Sequence, residues 1–429
     1  MSGAVEPVLP VAISHSRARF ARGVRAARWL FATGLSGTDF VSGLAPEVVR
    51  AAHPLNGAPQ AKREAQRLFR NLEEVLTACG AGFADVCRLD QYYTTPAAVP
   101  PYHETRSAVF ARRIPPSTSI LQQRFLHTGQ QIEALALAAV PGPSVRAQHM
   151  AFTPGYAIAA SSGYSPGLAC GDFRFLPGVT AEARREADGP VDPEARRAYG
   201  LWKANPIKLE AEFVIERKLK PSLIAAGAAP ETLVKAQVYL RDGDDIPAFN
   251  EVWRAHFPSP PATTIIPTSA PGFTLAELRL EINAIAIAVD GATRKEIVTG
   301  DAPPLFDGHV AAIRAGDLLF LSGLMGTDGG GLASEAMVDP RQPFYGIPVK
   351  AELAAIITQA DAICRNAGTS LANVVRIQAF HTRLEDFPAA LEAWHAALDG
   401  APLPISAVEV PWLPLAGARI LVDLWVYAP

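Results

Sequence analysis

The sequence predicts an α+β protein built from three copies of one ββαβαββ unit, and three observations carry that prediction. First, Val75–Tyr93 (VLTACGAGFADVCRLDQYY), Ser222–Leu240 (SLIAAGAAPETLVKAQVYL) and Ile363–Phe380 (ICRNAGTSLANVVRIQAF) share one pattern. An apolar helical stretch stops at a glycine, a few small residues follow, and a strand begins. The glycines are Gly80, Gly227 and Gly368, at successive offsets of 147 and 141 residues. Second, a strand ending in a small-residue pair precedes each passage: WLFATG (Thr33–Gly34), YAIAASSG (Ser162–Gly163) and LLFLSG (Ser322–Gly323). Third, a second helix and two closing strands follow each passage. Self-similarity at a fixed period signals repeated architecture.

Within each unit the elements follow from periodicity. Apolar residues at three- and four-residue spacing, as at Ala351, Ala354, Ala355 and Ile357, mark the first helix. Alternation marks the strands Val86–Tyr92, Leu233–Tyr239 and Val374–Phe380. The second helix is PPYHETRSAVF, PAFNEVWRAHF and PAALEAWHAAL in turn. The closing strands are TSILQQRF with QQIEALALAAV, TTIIPTS with LAELRLEINAIAIAV, and SAVEVPWL with ARILVDLWVYA. AVPGPSV (139–145) and VDGATRKE (289–296) read as linkers, which places domains at 1–143, 144–292 and 293–429. The middle domain is expected to carry a long insertion over about 168–205, of the kind that forms lids or binding loops.

Composition narrows the function classes. The chain has 429 residues, 49% hydrophobic and 19% charged, which suits a globular protein with large cores. A net charge of −3 without a Lys/Arg run gives no footprint for nucleic acid. No basic-then-apolar leader and no apolar run of membrane length is present, so the expectation is a cytoplasmic protein without a membrane partner. Cys79, Cys87, Cys170 and Cys364 form no CxxC, and no His/Cys/Asp/Glu cluster has ligand spacing, so neither a metal nor another cofactor is expected. GYSPG (163–167) matches G-x-S-x-G in letters only, since Pro166 has no N–H for an oxyanion hole. GTDGGGL (326–332) lacks the lysine of a phosphate-binding loop.

The order of elements, the strand-ending Ser-Gly, the "N…AG…V" passage and the closing "IEAxA"-type strand resemble the RidA/YjgF family over nearly the whole chain, three times. The resemblance implies a chorismate-mutase-like α+β fold and an intramolecular pseudo-trimer, monomeric or in a low-order oligomer. Single-copy relatives are homotrimers with clefts between subunits. Polar residues alternating on the closing strands then face the seams: Gln131 and Glu133; Arg279, Glu281 and Asn283; Arg419 and Asp423. The same positions would equally suit inter-domain hydrogen bonds or a wet central channel.

In RidA-like enzymes a glutamate on this strand orients water for attack on an imine carbon. The resemblance gives its counterparts as Glu133, Asn283 and Asp423, which makes Glu133 the first catalytic candidate and Asp423 the second. The family's carboxylate-binding arginine is missing: Ser117, Ala262 and Ile405 stand there, and Ser119, Thr264 and Ala407 replace the cleft cysteine. Arg124, Arg279 and Arg419 are the candidate replacement cations. The helix asparagine of the cleft is matched by Asn250, with His103 and Leu391 in the other copies. The first-strand aromatic is matched by Phe20 and His309, with His149 or Tyr156 in the middle copy. Gly34, Gly163, Gly323 and Ser322 would present backbone N–H groups to a ligand, and Trp202 would close a lid. The implied activity is a cofactor-free hydrolase or deaminase of a small metabolite. The alternatives are a chorismatase-like hydrolase, needing a carboxylate-binding arginine from elsewhere, and a non-catalytic small-molecule binder.

Overall fold

The computed structural model describes the chain apart from residues 1–4, 15, 51–56, 112, 143–145, 155, 157, 159–161, 184–187, 197–203 and 274. Three sheets form, one per unit. Unit 1 supplies β1 (Val5–Ala12), β2 (Arg19–Ala26), β3 (Trp29–Leu35), β4 (Val86–Tyr93), β5 (Ser117–Leu121), β6 (Arg124–Phe125) and β7 (Ile132–Ala139). Unit 2 supplies β8 (Gln148–His149), β9 (Leu168–Cys170), β10 (Phe173–Thr180), β11 (Leu233–Leu240), β12 (Ala262–Pro267) and β13 (Leu280–Ile287). Unit 3 supplies β14 (Lys295–Val298), β15 (Ala312–Ala315), β16 (Leu318–Leu321), β17 (Val374–His381), β18 (Ile405–Glu409) and β19 (Ile420–Tyr427). The orders are β1-β2-β3-β7-β4-β5, β12-β11-β13-β10-β9-β8 and β14-β15-β16-β19-β17-β18-β6. Each unit thus extends ββαβαββ by a leading edge strand. The last strand of the third sheet, β6, comes from unit 1 and stitches it to β18.

Each unit lays two helices on the outer face of its sheet: α2 (Gln60–Ala78) and α3 (Val99–Val109) in unit 1, with the short α1 (Pro46–Val49) ahead of them. In unit 2 the first helix is α4 (Pro206–Phe213), a π-helical stretch (Val214–Leu219) and α5 (Lys220–Ala225), and the second is α6 (Ile246–His256). Unit 3 has α7 (Pro348–Asn366) and α8 (Phe387–Ala397). The repeated glycines close the first helices in the left-handed region, with φ of +69°, +71° and +71°. A Cβ there would meet nothing within 4 Å, so conformation and not space selects glycine. The next N–H reaches back in each case: Ala81 to Leu76 O, Ala228 to Leu223 O and Thr369 to Cys364 O, all 2.9 Å.

A second repeated device escaped the sequence reading. Glu64 accepts from the backbone N–H groups of Gln131 and Ile132, Glu210 from Arg279 and Leu280, and Glu352 from Arg419. Each glutamate ties the first helix to the start of the closing strand. Burial pushes all three carboxyls up to about 7. The signal was a glutamate sixteen residues before Gly80 and Gly368 but seventeen before Gly227. The π stretch absorbs the extra residue, just ahead of Pro221, which has no N–H to donate. Glu64→Ala is expected to cost ~1–3 kcal/mol by stranding buried donors. Chemical denaturation would check this, with Glu64→Gln losing less.

The inner faces meet around a common axis. Trp29 and Phe31 of unit 1, Phe173 and Phe175 of unit 2, and Phe320 and Trp425 of unit 3 share one buried cluster. Edge-to-face contacts link Trp29 to Phe173 (5.4 Å), Phe173 to Phe320 (6.5 Å) and Phe31 to Trp425 (6.2 Å), so the ring of three closes. No helix among the described residues is long and apolar enough to cross a membrane.

Unit 2 departs from expectation at its entry. The small-residue pair at the end of its third strand is Pro177–Gly178, not Ser162–Gly163, and residues 168–180, expected inside an insertion, are β9 and β10. FRFLPGV carries a proline, which argues against a central strand. Pro177 sits in a register shift between Leu176 and Val179, where the ladder is interrupted, so its missing N–H costs nothing. Trp202 and part of the 139–145 linker lie outside the described residues.

Candidate functional site

The axis itself is a buried polar plug. The middle strands β4, β11 and β17 turn Arg88, Asp90 and Tyr92, then Lys235, Gln237 and Tyr239, then Arg376, Gln378 and Phe380 toward one another. Asp90 pairs with Arg88 and with Arg376, both at 3.0 Å. Arg88 donates to Gln237 Oε1 (2.8 Å), Gln237 to Gln378 Oε1 (3.1 Å), and Gln378 to the Tyr92 hydroxyl (2.7 Å), which meets Tyr239 Oη at 2.8 Å. Asp423 belongs to this plug. It pairs with Lys235 at 3.1 Å and accepts from Gln237 and from Trp425 Nε1, both at 3.0 Å. Burial pushes its pKa up, but Lys235 and Arg376 outweigh burial and hold the carboxyl below its usual range. A carboxylate so committed does not suit a water-positioning role, and the Asp423 expectation is corrected to a structural one.

Strand register also corrects which residues match the family's glutamate. Tyr92 opposes Glu133, Tyr239 opposes Glu281, and Phe380 opposes Leu421. The counterparts are therefore Glu133, Glu281 and Leu421, while Asn283 and Asp423 match Leu135. A strand of alternating residues offers two inward positions two residues apart, and single-sequence inspection chose the wrong one in two copies. Register also makes Thr263 the counterpart of Ser117 and Ile405, and Ile265 the counterpart of Ser119 and Ala407.

The three seams are consequently unequal. Where unit 1 meets unit 3, Glu133 accepts from the Ser406 hydroxyl and from Gln130 (3.5 Å), and burial raises it to about 7. Gly34 packs there so closely that a Cβ would lie 2.7 Å from Ile405 O. Where unit 3 meets unit 2, Leu421 replaces the carboxylate. Gly323 N donates to Thr263 O (3.1 Å), Ser322 Oγ accepts from Thr263 N (3.0 Å), and His309 Nε2 lies 3.1 Å from Asn250 Oδ1. Burial pushes His309 down to about 4. These expected residues do gather, but around an apolar centre.

The seam between units 1 and 2 is different. Glu281 is buried, 6% exposed, and burial raises its carboxyl to about 8 although the Ser119 backbone N–H faces it. No side chain among the described residues donates to it. Asn283 Nδ2 donates across the seam to Thr118 Oγ1 at 3.1 Å. Tyr164, and not His149 or Tyr156, takes the first-strand aromatic place, since it bridges Ile114 as Phe20 bridges Leu403. Gly163 lies on this approach to Tyr164 and outside the strand-end bulge. A small cavity of about 30 Å³ lined by Tyr156, Tyr164, Gly178, Thr180, Glu182 and Lys218 opens beside it.

Gly178 is required by proximity: a Cβ there would sit 1.8 Å from Glu281 Oε1. Gly178→Ala is expected to swing the carboxylate away and lower turnover ~10²-fold while the fold persists. Steady-state kinetics beside a melting curve would check this, and unchanged kcat would count against the site.

The candidate arginines are all committed elsewhere. Arg279 forks onto Asp245 (2.8 and 3.1 Å) and Arg419 pairs with Asp386 (3.1 Å), each within its own unit. Arg124 is half-exposed between Glu385 and Glu409 of unit 3. A cation already matched to a carboxylate has little left for a ligand, so these three expectations are corrected as well. Arg106, which the sequence reading passed over, reaches the seam from α3: Nη1 donates to Gln91 Oε1 (2.8 Å) and Ser117 Oγ (3.1 Å), Nη2 to Ser162 O (2.6 Å). No metal-competent cluster of three or more His, Cys, Asp or Glu occurs among the described residues.

Comparison with known proteins accords with this architecture. The profile of the family described as endoribonuclease L-PSP matches residues 155–288 and again 299–428, more than half of the chain. The chain belongs to this family. Among L-PSP relatives, a RutC family protein of Pyrococcus abyssi is 32% identical over 124 residues, 29% of this chain and 84% of that protein. One from Saccharolobus solfataricus is 33% identical over 107 residues, 25% of this chain and 74% of its own length. Among solved structures, RidA from an Antarctic Psychrobacter is 28% identical, covering 31% of this chain and 99% of that one, with a TM-score of 0.26. Yeast Mmf1 is 15% identical over 32% of this chain and 100% of that one, with a TM-score of 0.27. Each relative has about the length of one unit, and the present L-PSP chain carries the tandem arrangement of the RidA/YjgF type.

Proposed function

We propose that the protein is a cofactor-free hydrolase or deaminase of a small C–N-bonded metabolite, with Glu281 as the water-positioning carboxylate in the seam between units 1 and 2. One observation carries this reading. Of the three equivalent positions, Glu133 is held by Ser406, the third is Leu421, and Glu281 alone has a carboxyl without a side-chain donor among the described residues. Ionised Glu281 takes a proton from water as its oxygen attacks the imine carbon. That proton passes to the nitrogen to give the tetrahedral adduct, whose hydroxyl then yields the second proton to the nitrogen through the same carboxylate as the C–N bond breaks and the C=O bond forms, so imine and water give carbonyl and ammonia. The Ser119 N–H keeps the carboxylate aimed. Nucleic-acid cleavage, the activity in the family's description, finds no support in a net charge of −3 without a Lys/Arg run.

The test is ammonia release from enamines generated from several amino acids, with chorismate as the counter-substrate. Ammonia from the first class supports the reading. Turnover of chorismate alone replaces it with the chorismatase-like one, and tight metabolite binding without any turnover replaces it with a binding protein.

A further inference from the structure

Cys87 and Cys170 come from different units and meet where unit 1 packs against unit 2. Both are fully buried, and neither is in a disulfide. The repeat shows what this place ordinarily holds. Cys87 is the unpaired residue at the register shift of β4, between Val86 and Arg88, and Val234 and Val375 take that place in β11 and β17. Cys170 ends β9 opposite Phe173, as Ala26 ends β2 opposite Trp29 and Ala315 ends β15 opposite Leu318. β4 packs against β9, β11 against β15 and β17 against β2, and all six residues belong to one buried cluster. Two seams thus set a valine against an alanine, and the third sets a cysteine against a cysteine. Burial alone asks only for a small apolar side chain at each place.

The two thiols are unequal. A hydrogen bond from the Cys87 thiol holds Cys170 below the ordinary thiol range against the effect of burial, and Arg28 adds to it. Burial pushes Cys87 up. Cys170 therefore ionises first, and it also lies nearer to solvent. Gly171 next to it is exposed, and the ion pair of Arg28 with Asp317 (3.0 Å) beside it is half-buried. A thiolate close to a cation, with a second thiol in contact, is the arrangement in which oxidation runs on to a disulfide.

We propose that Cys87 and Cys170 are a redox pair which hydrogen peroxide converts to a disulfide, stapling unit 1 to unit 2. The Cys170 thiolate attacks one peroxide oxygen and the O–O bond breaks, which leaves a sulfenic acid and, with one proton, a first water. The Cys87 sulfur then attacks the Cys170 sulfur. The S–O bond breaks, and the departing hydroxide takes the Cys87 proton as a second water. Each sulfur gives up one electron, and one peroxide becomes two waters. The bond closes a loop through α3, β5, β7 and the linker to unit 2, which restricts the unfolded chain and so stabilises the folded one. β9 turns into β10, whose far end carries Gly178 against Glu281, so the staple pins the opposite end of the same seam. It does not depend on any reaction at Glu281, and its test reads a bond and not turnover.

The full chain would be treated with hydrogen peroxide, alkylated, digested without reductant and mapped by mass spectrometry, beside a melting curve, as wild type, Cys87→Val and Cys170→Ala. The repeat itself supplies these substitutions, since valine and alanine fill the equivalent places. The wild type is expected to lose ~2 Da, to give a peptide pair joining Cys87 to Cys170 that dithiothreitol separates, and to melt ~2–5 °C above its reduced form. Both variants should lack the joined peptides and the shift. Should either variant fail to fold, the wild-type map decides alone. The proposal would be overturned if both thiols stay reduced at a peroxide dose that oxidises the half-exposed Cys79. Oxidation of Cys170 to a sulfinic acid without linkage, a bond to Cys79 or Cys364 instead, or a linked form that melts no higher would overturn it equally.

Discussion

Asp90→Asn is expected to destabilise the protein by ~3–5 kcal/mol, because it leaves Arg88 and Arg376 facing each other in the interior with no carboxylate in direct contact. The substitution is nearly isosteric, so packing loss does not enter. Asp423→Asn should act alike by stranding Lys235. Since Asp90 and Arg376 belong to different units, the damage should lower one common unfolding transition and not release a single domain. Denaturant titration followed by tryptophan fluorescence would measure it, and a loss below about 1 kcal/mol would show that the axis is not held by these pairs. The pH dependence has a definite sign. The folded pKa of Asp423 lies below its ordinary 3.8, so its stabilisation is present above that value and is lost as the pH falls through the folded one.

Glu281→Gln is expected to lower kcat/KM for a hydrolysable imine by ~10²–10⁴-fold, the usual worth of a positioned general base. Glu133→Gln should change it only a few-fold, since that carboxyl is held by Ser406. The profile of the wild type should climb with pH until the carboxyl ionises at about 8 and then level. Stability runs the other way. With its folded pKa above the ordinary 4.5, Glu281 contributes most below that value, and the contribution is lost as the pH rises through about 8. Equal activity of Glu281→Gln and wild type, with Glu133→Gln inactive, would move the chemistry to the other seam.

Much of the fold was legible in the letters because it rests on local rules. A glycine with positive φ ends each first helix, apolar residues recur at helical or strand spacing, and the units repeat. The failures were local as well. Pro177 hid β10, since a proline inside an alternating run argues against a strand unless a bulge receives it. The position matched to the family's glutamate slipped by two residues in the middle and last copies, because positions i and i+2 of a strand face the same way and only cross-strand pairing tells them apart. Arg106 was invisible for a different reason. Its neighbours Ser117 and Ser162 lie 11 and 56 residues away, and its lack of a carboxylate is a fact of three dimensions.

The amino-acid order by itself determined the repeat, the helix ends, the α+β class and the inward alternation of the closing strands, all set by interactions within a few residues or by a period. Only the tertiary structure decided which seam pairs a carboxylate with an uncompensated guanidinium, and which acidic groups merely neutralise the axis. The reason is that charge in a protein interior takes its meaning from what lies within a few ångströms. At these seams the near neighbours come from separate units of the chain.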